Sequence, residues 1–117
     1  MHNQERRMSA RAAAKDISGV IYDDKGNAYA VDFKNISANG IKFKTHNLPP
    51  TGVVYIWTDD YDLVTDVYVS KLYEDKEGTA YVITTVDVKE LEEYQKIYNI
   101  AVAKEYLSRL KEKNTNG

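Results

Sequence analysis

The sequence predicts a mainly β protein: a six-stranded antiparallel β-barrel with a long C-terminal α-helix. From Lys15 to Val88, short runs rich in Val, Ile, Tyr and Thr alternate with turn residues, and this pattern is typical of strands. No helical pattern separates these runs, so neighbouring strands are expected to pair antiparallel in a curved sheet or barrel. After Val86 the apolar period changes from two residues to about 3.6, which indicates a helix.

Turn sequences divide the β region into six strands. Two polar segments that contain a glycine at or near their end are typical of hairpin loops: Asp23–Asn27 and Glu74–Gly78. Asn39-Gly40 and Leu48–Gly52 are predicted to be further connections. The predicted strands are Asp16–Tyr22, Ala28–Asn35, Ile41–Thr45, Val53–Thr58, Leu63–Tyr73 and Ala80–Val86.

The predicted helix runs from Val88 to Lys113. Asp87 and Glu90 have the spacing of a capping box at its start. Its apolar residues follow one wide stripe: Leu91, Tyr94, Tyr98, Ala101, Val102, Tyr106 and Leu110. About 25 residues at 1.5 Å each give nearly 40 Å, which exceeds the width expected of such a barrel. Either the overhanging stripe is buried in a homo-oligomer, or the helix bends or frays after Tyr106 and caps its own barrel.

Composition and charge limit the function. The 117 residues, 43% of them hydrophobic, suffice for one domain with a modest core. The net charge of −2 and an excess of carboxylates in the β region argue against a groove for RNA or single-stranded DNA and against binding to an anionic membrane. There is no cysteine and no apolar run of about 20 residues, so we expect a cytoplasmic protein.

Neither a metal site nor a catalytic site is predicted. His2 and His46 have no ligand-like neighbours at metal spacing. Asp59, Asp60 and Asp62 cluster in a polar strand connection, where no nucleophile and base can be paired. We therefore expect neither an enzyme nor a resident cofactor.

Two short motifs point to ligand binding instead. In Arg7-Met8-Ser9-Ala10-Arg11 the arginines are four residues apart, so that in helical or turn geometry both guanidinium groups can face one ligand. In the segment from Asn35 to Gly40, an amide, a hydroxyl and a glycine lie where one strand turns into the next. Each motif alone is weak, because arginine pairs and Asn or Ser turns are common.

In this order, followed by a β-barrel pattern, the motifs resemble the bipartite signature of the PilZ family, RxxxR and then (D/N)xSxxG. Asp16-Ile17-Ser18-Gly19 begins like the second motif, but Ile21 stands where it requires glycine. PilZ domains are six-stranded barrels with a helix near the C-terminus, which agrees with the prediction above. The resemblance implies one PilZ domain over residues 1–117: a flexible arginine segment (1–12), the barrel (13–87) and the C-terminal helix (88–113).

The resemblance implies a receptor for cyclic di-GMP, a bacterial second messenger. An arginine fork matches the O6 and N7 acceptors of guanine and also pairs with phosphate, which suits Arg7 and Arg11. Asn35 and Ser37 would add neutral hydrogen bonds, and Gly40 would keep the turn open. In such domains the arginine segment orders around the ligand, and this ordering is the signal. Regulation of motility or biofilm formation through an unidentified downstream protein is then expected.

Arg6 concerns the number of ligands. PilZ domains with an additional arginine immediately before RxxxR tend to hold two stacked cyclic di-GMP molecules, so the resemblance implies two per chain. The sequence departs from the family on the run Val67–Ser70, which lacks the usual aromatic residue at the aligned position. The alternative is a PilZ-like protein-interaction module, in pilus or flagellar machinery, that binds no nucleotide.

Overall fold

The structure, a computed structural model, describes residues 11–14, 17–45 and 47–116. In the C-terminal helix, side chains are described as far as residue 112. These residues form seven strands and one helix. The elements are β1 (Ala12–Ala13), β2 (Ser18–Tyr22), β3 (Ala28–Ser37), β4 (Gly40–Phe43), β5 (Thr51–Thr58), β6 (Leu63–Asp75), β7 (Gly78–Ile83) and α1 (Val88–Asn116).

Six of the strands close into an antiparallel barrel in the order β3-β2-β5-β6-β7-β4, and β4 pairs back onto β3. The predicted fold class is therefore confirmed. The short strand β1 is an addition: it continues the edge of β3 beyond β2, with Ala12 opposite Ile36 and Ala13 opposite Asn35. A two-residue strand has no periodicity, so the sequence did not predict it.

The strand bounds differ from prediction by a few residues. Asp16, the predicted first residue of a strand, lies outside the described residues, and β2 begins at Ser18. The last strand was predicted to reach Val86 but ends at Ile83. Beyond Ile83 the Thr84 amide still donates to the Tyr68 carbonyl at 2.7 Å, but the Tyr68 amide donates to the Thr85 hydroxyl instead of a backbone carbonyl, so the ladder stops.

Both hairpin loops form as predicted, and an aspartate organises each. Asp23 Oδ1 accepts hydrogen bonds from the amides of Lys25 (3.0 Å) and Asn27 (2.8 Å). The Asn27 side chain adds a third hydrogen bond and is the main reason that the pKa of Asp23 is lowered. At the other hairpin, Asp75 Oδ1 accepts from the amide of Glu77 at 2.9 Å. Such side-chain bonds to the backbone are the reason that aspartate favours turns.

The core fills the barrel and extends to the helix. Alternate residues of each strand point inward, and the rings of Phe33, Phe43 and Tyr81 contact one another with centroids 5.2 and 5.4 Å apart. Helix α1 contributes Tyr94, Ile97 and Ala101, which are all buried. The helix packs against β6, β1 and β3, and thereby reaches the edge of the barrel where both motifs lie.

The helix begins at Val88, as predicted, and extends to Asn116 without fraying after Tyr106. Asp87 Oδ1 accepts a hydrogen bond from the Glu90 amide at 3.0 Å, which is one half of the capping box. Glu90 Oε1 is buried and has no hydrogen-bond partner among the described residues, so this oxygen does not complete the capping box. Tyr106 and Leu107 are 61% and 57% exposed, so the outer side of the C-terminal half is apolar and uncovered. No described helix is long and apolar enough to cross a membrane.

Candidate functional site

The site is assembled by the pairing of β1 with β3. Because Ala12 lies opposite Ile36 and Ala13 opposite Asn35, the antiparallel register brings Arg11 level with Ser37. Two segments that are more than twenty residues apart in sequence therefore meet along one edge. The last arginine of the first motif and the polar residues of the second motif are side by side.

The Arg11 guanidinium joins the two motifs directly. Its Nε donates a hydrogen bond to Oδ1 of Asn35, and its Nη1 donates to Oγ of Ser37 at 3.0 Å. Ser37 is fully buried, whereas Arg11 is exposed. A guanidinium carries five N–H donors. Two of them hold the motif, and the other three form no hydrogen bond with a described residue, which leaves an exposed cationic group that can pair with an anion or an acceptor pair.

The predicted site residues fall into two groups. The structure brings together Arg11, Asn35, Ser37 and Gly40. Arg6 and Arg7 lie outside the described residues. Among the residues that are described, no group of three His, Cys, Asp or Glu side chains could hold a metal ion.

Gly40 has a structural reason to be glycine. It is buried at the start of β4, where a Cβ would lie 2.8 Å from the carbonyl oxygen of Tyr81 on β7. Real Cβ atoms do not approach backbone this closely, so any larger residue would push β4 and β7 apart. The same Cβ would lie 3.6 Å from Nη1 of Arg11 and from Oγ of Ser37, which shows how tightly the motif is packed.

Tyr94 is a site residue that sequence reasoning missed. This buried residue of α1 places its hydroxyl 2.8 Å from the carbonyl oxygen of Gly40, and it also hydrogen-bonds the carbonyl of Ser37. Burial raises the pKa of Tyr94, and the nearby Arg11 charge opposes this rise. The apolar stripe predicted that Tyr94 would be buried. A buried phenol needs a hydrogen-bond partner, and the turn of the second motif offers the carbonyl oxygens of Ser37 and Gly40, although the Gly40 carbonyl also accepts from Ser37 Oγ at 3.3 Å.

Glu105 connects the same helix to the first motif segment. Its Oε1 accepts a hydrogen bond from the Ala13 amide at 3.3 Å, and its Oε2 accepts one from Arg109 at 3.0 Å. A surface depression of about 570 Å³ lies beside this contact and is bordered by Ile17 and the C-terminal half of α1. Helix α1 therefore touches both segments of the site, at positions eleven residues apart on the helix.

Fold and site together define a small antiparallel barrel with an arginine-centred polar cluster at one edge and a helix behind it. No protein-family model and no curated protein matches the chain. Among solved structures, the chain is similar to one titled as the complex of K. pneumonia MrkH with c-di-GMP, with 17% identity and a TM-score of 0.64. That match covers 84% of this chain and 52% of MrkH, so the chain spans about half the length of that neighbour.

A second neighbour is the crystal structure of the Legionella uncharacterized protein Lpg0364, with 15% identity and a TM-score of 0.54. The match covers 90% of this chain and 97% of that protein. At these identities the likeness concerns the fold: the barrel with its C-terminal helix is an arrangement that other proteins also adopt.

Proposed function

We propose that this protein is a PilZ-type receptor for cyclic di-GMP and not an enzyme. The observation that carries the proposal is the Arg11 guanidinium, which bridges Asn35 and Ser37 and so joins an RxxxR segment to an NxSxxG segment. The fold likeness to MrkH, which was solved with c-di-GMP, supports it. Both motifs also have the chemistry that a ligand with two guanines and two phosphates requires.

In the proposed complex Arg11 does not have to release its intramolecular partners. Nε and Nη1 stay on the second motif, and the remaining N–H donors face guanine O6 and N7 or a phosphate oxygen. Arg7 supplies a second guanidinium from the other side of the ligand. Arg6 provides the additional charge needed for a second, stacked cyclic di-GMP, because the pair carries four phosphate charges.

The proposed signal is the ordering of residues 1–12 around the ligand. This segment continues directly into Ala13, whose amide binds Glu105 of the helix, so the ordered segment and α1 form one surface. A downstream protein would read that surface. The cytoplasm is the proposed location and control of motility or biofilm formation the proposed role, because cyclic di-GMP receptors of this family act there.

A homo-oligomer through α1 is part of the proposal. Val102, Tyr106 and Leu107 are 41–61% exposed on a helix that continues to Asn116. Apolar residues on an extended helix are stabilised when a second copy covers them.

One observation favours a second candidate function, the interaction module that binds no nucleotide. Arg11 already hydrogen-bonds Asn35 and Ser37 without a ligand. In that case the two motifs would serve to fasten β1 to the barrel.

Isothermal titration calorimetry with cyclic di-GMP distinguishes the two candidates. If the protein is a receptor, the binding heat saturates as cyclic di-GMP is added. Arg11→Ala or Arg7→Ala should then raise the dissociation constant by a factor of about 10 to 100, because each bidentate arginine contributes about 1–3 kcal/mol. Lys25→Ala, which removes an equal charge from the exposed β2–β3 hairpin, leaves the affinity unchanged. No binding heat in a folded protein would favour the interaction module.

A further inference from the structure

The barrel carries an aromatic surface away from the Arg11 site. Strands β2, β5 and β6 are neighbours, and their registers align the outward side chains in three cross-strand rows. The rows are Tyr22, Val53 and Tyr68; Val20, Tyr55 and Asp66; and Ser18, Trp57 and Val64. We call these nine residues the outer aromatic face. Strand β2 of the face pairs with β3 only along Ala28–Asp32, whereas Asn35 and Ile36 of β3 pair with β1 and β4, so the face is distinct from the Arg11 site.

The outer aromatic face exposes three large aromatic side chains to water. Tyr68 is 58% exposed, and Tyr22 and Trp57 are 40% and 39% exposed. With about 200 Å² of surface for each of these side chains, they present roughly 300 Å² to solvent. An antiparallel sheet ordinarily places polar residues on its solvent side. This area is comparable to the largest apolar patch on a typical monomer, and such patches are often functional.

A depression at one end of the face can receive a side chain. It measures about 420 Å³ and lies between Tyr22 and Tyr68, with Gly52 and Val53 between them and Asp24 at its border. Gly52 lets β2 and β5 approach closely beneath the depression, because a Cβ there would come within 2.5 Å of the Tyr22 carbonyl oxygen and 3.1 Å of the buried Ile21 side chain. The walls are therefore two tyrosine side chains, and the border is acidic.

The negative charge of the outer aromatic face limits the chemistry of a partner that can bind it. Asp66 is the only charged residue among the nine, and its carboxylate makes no hydrogen bond or ion pair with any described residue. Tyrosine rings attract cations, and carboxylates pair with guanidinium groups. Nucleic acids and anionic membranes would be repelled, and a second copy packed face to face would bring two Asp66 carboxylates together.

We propose that the outer aromatic face docks a protein partner that presents an arginine or lysine among apolar side chains. The cation enters the depression between Tyr22 and Tyr68 and approaches Asp24, while the apolar neighbours cover Tyr55 and Trp57. Tyrosine, tryptophan and arginine are the residues that dominate binding energy at protein interfaces. Standard interfaces bury about 800 Å² per partner, so the face would be the centre of a larger contact. This inference is independent of cyclic di-GMP binding.

Selection of a phage-displayed random peptide library on the immobilised full chain tests the proposal. We expect enriched peptides with arginine or lysine beside aromatic or aliphatic residues. Synthetic versions of the enriched peptides should bind the Tyr68→Ser and Asp66→Lys variants at least about tenfold more weakly than they bind the parent protein. Tyr106→Ser is the matched control, because Tyr106 is 61% exposed but lies on the helix. In the parent protein, the peptides should shift the amide resonances of Tyr22, Trp57 and Tyr68, a readout that needs no variant.

Several outcomes would overturn the proposal. The proposal is wrong if the selection enriches no peptide, or if the enriched peptides are acidic or uncharged. It is also wrong if Tyr68→Ser and Tyr106→Ser reduce the peptide affinity equally. Binding of an oligouridine probe that depends on Tyr68 would assign the face to nucleic acid. An increase of mass with protein concentration that Tyr68→Ser abolishes would assign it to a second copy of the chain.

Discussion

The hydroxyl of Tyr94 lies 2.8 Å from the carbonyl oxygen of Gly40, although the two residues are 54 positions apart. Tyr94 is 1% exposed and also hydrogen-bonds the carbonyl of Ser37. The helix therefore holds the turn that presents Ser37 to Arg11. Through this contact, the stability of the candidate site depends on how well α1 packs against the barrel.

Replacing Tyr94 with phenylalanine should destabilise the protein by about 1–3 kcal/mol, because the buried carbonyls of Ser37 and Gly40 lose the tyrosine hydroxyl, although Ser37 Oγ still donates to the Gly40 carbonyl at 3.3 Å. Urea unfolding measures this change. The control is Tyr106→Phe, in which an exposed hydroxyl is removed and the free energy of unfolding should change by less than about 0.5 kcal/mol. Equal effects of the two substitutions would show that the Tyr94 hydrogen bonds contribute nothing.

The stability of the fold should fall at alkaline pH. Burial raises the pKa of Tyr94 and of Tyr81 in the folded state above the ordinary tyrosine value of about 10. Above that pH the unfolded chain releases these protons while the folded chain retains them, so unfolding becomes more favourable as the pH rises. Urea midpoints should be unaffected by these two groups below about pH 10 and decline above it. Tyr94→Phe should decline less steeply, and an identical slope would contradict this account.

The barrel was predictable because strand alternation and turn chemistry agree along the whole β region. Asp23 and Asp75 organise the hairpins as their positions indicated. The contacts of the site were less predictable. Strand β1 forms because it pairs with β3, and its two residues have no sequence pattern that predicts a strand. Tyr94 is one of several apolar residues on the helix stripe, and only the folded structure shows that its hydroxyl bonds the Gly40 carbonyl. Such contacts depend on tertiary packing, which a local pattern does not contain.

Gly40→Ala should destabilise the protein by about 1–3 kcal/mol, the usual cost of overpacking, because the new Cβ would meet the Tyr81 carbonyl at 2.8 Å. Thermal unfolding and denaturant unfolding both measure it. Gly26→Ala is an informative comparison, since a Cβ at Gly26 meets nothing within 4 Å and only its φ of +87° is unfavourable. An unchanged free energy of unfolding for Gly40→Ala would mean that β4 and β7 can separate without cost.

The number of ligands should depend on Arg6. We expect calorimetry of the parent protein to saturate at two cyclic di-GMP molecules per chain and Arg6→Ala to saturate at one, because the stacked pair needs the additional charge. A stoichiometry near one for the parent protein would remove this role of Arg6, while the proposed binding through Arg7 and Arg11 would stand.

The exposed side of the helix should govern the oligomeric state. Introducing a charge with Leu107→Glu is expected to convert a multimer into a monomer, because the substituted position is 57% exposed and would be covered by a second copy. Light scattering measures the mass of both proteins. Val88→Glu is the control, because Val88 is also apolar, lies at the helix start and is 68% exposed. A parent protein that is monomeric at every concentration would refute the oligomer.

The central claim is that cyclic di-GMP binds at Arg11 where this residue bridges Asn35 and Ser37. Nuclear magnetic resonance of the Arg11 Nε–H and Asn35 side-chain amide signals during a cyclic di-GMP titration tests it most directly. We predict that both signals shift and saturate together with the calorimetric heat, and that Arg11→Lys, which keeps the charge but loses the fork, abolishes the Asn35 shift. Binding heat without any change in these two signals would place the ligand elsewhere and contradict the account.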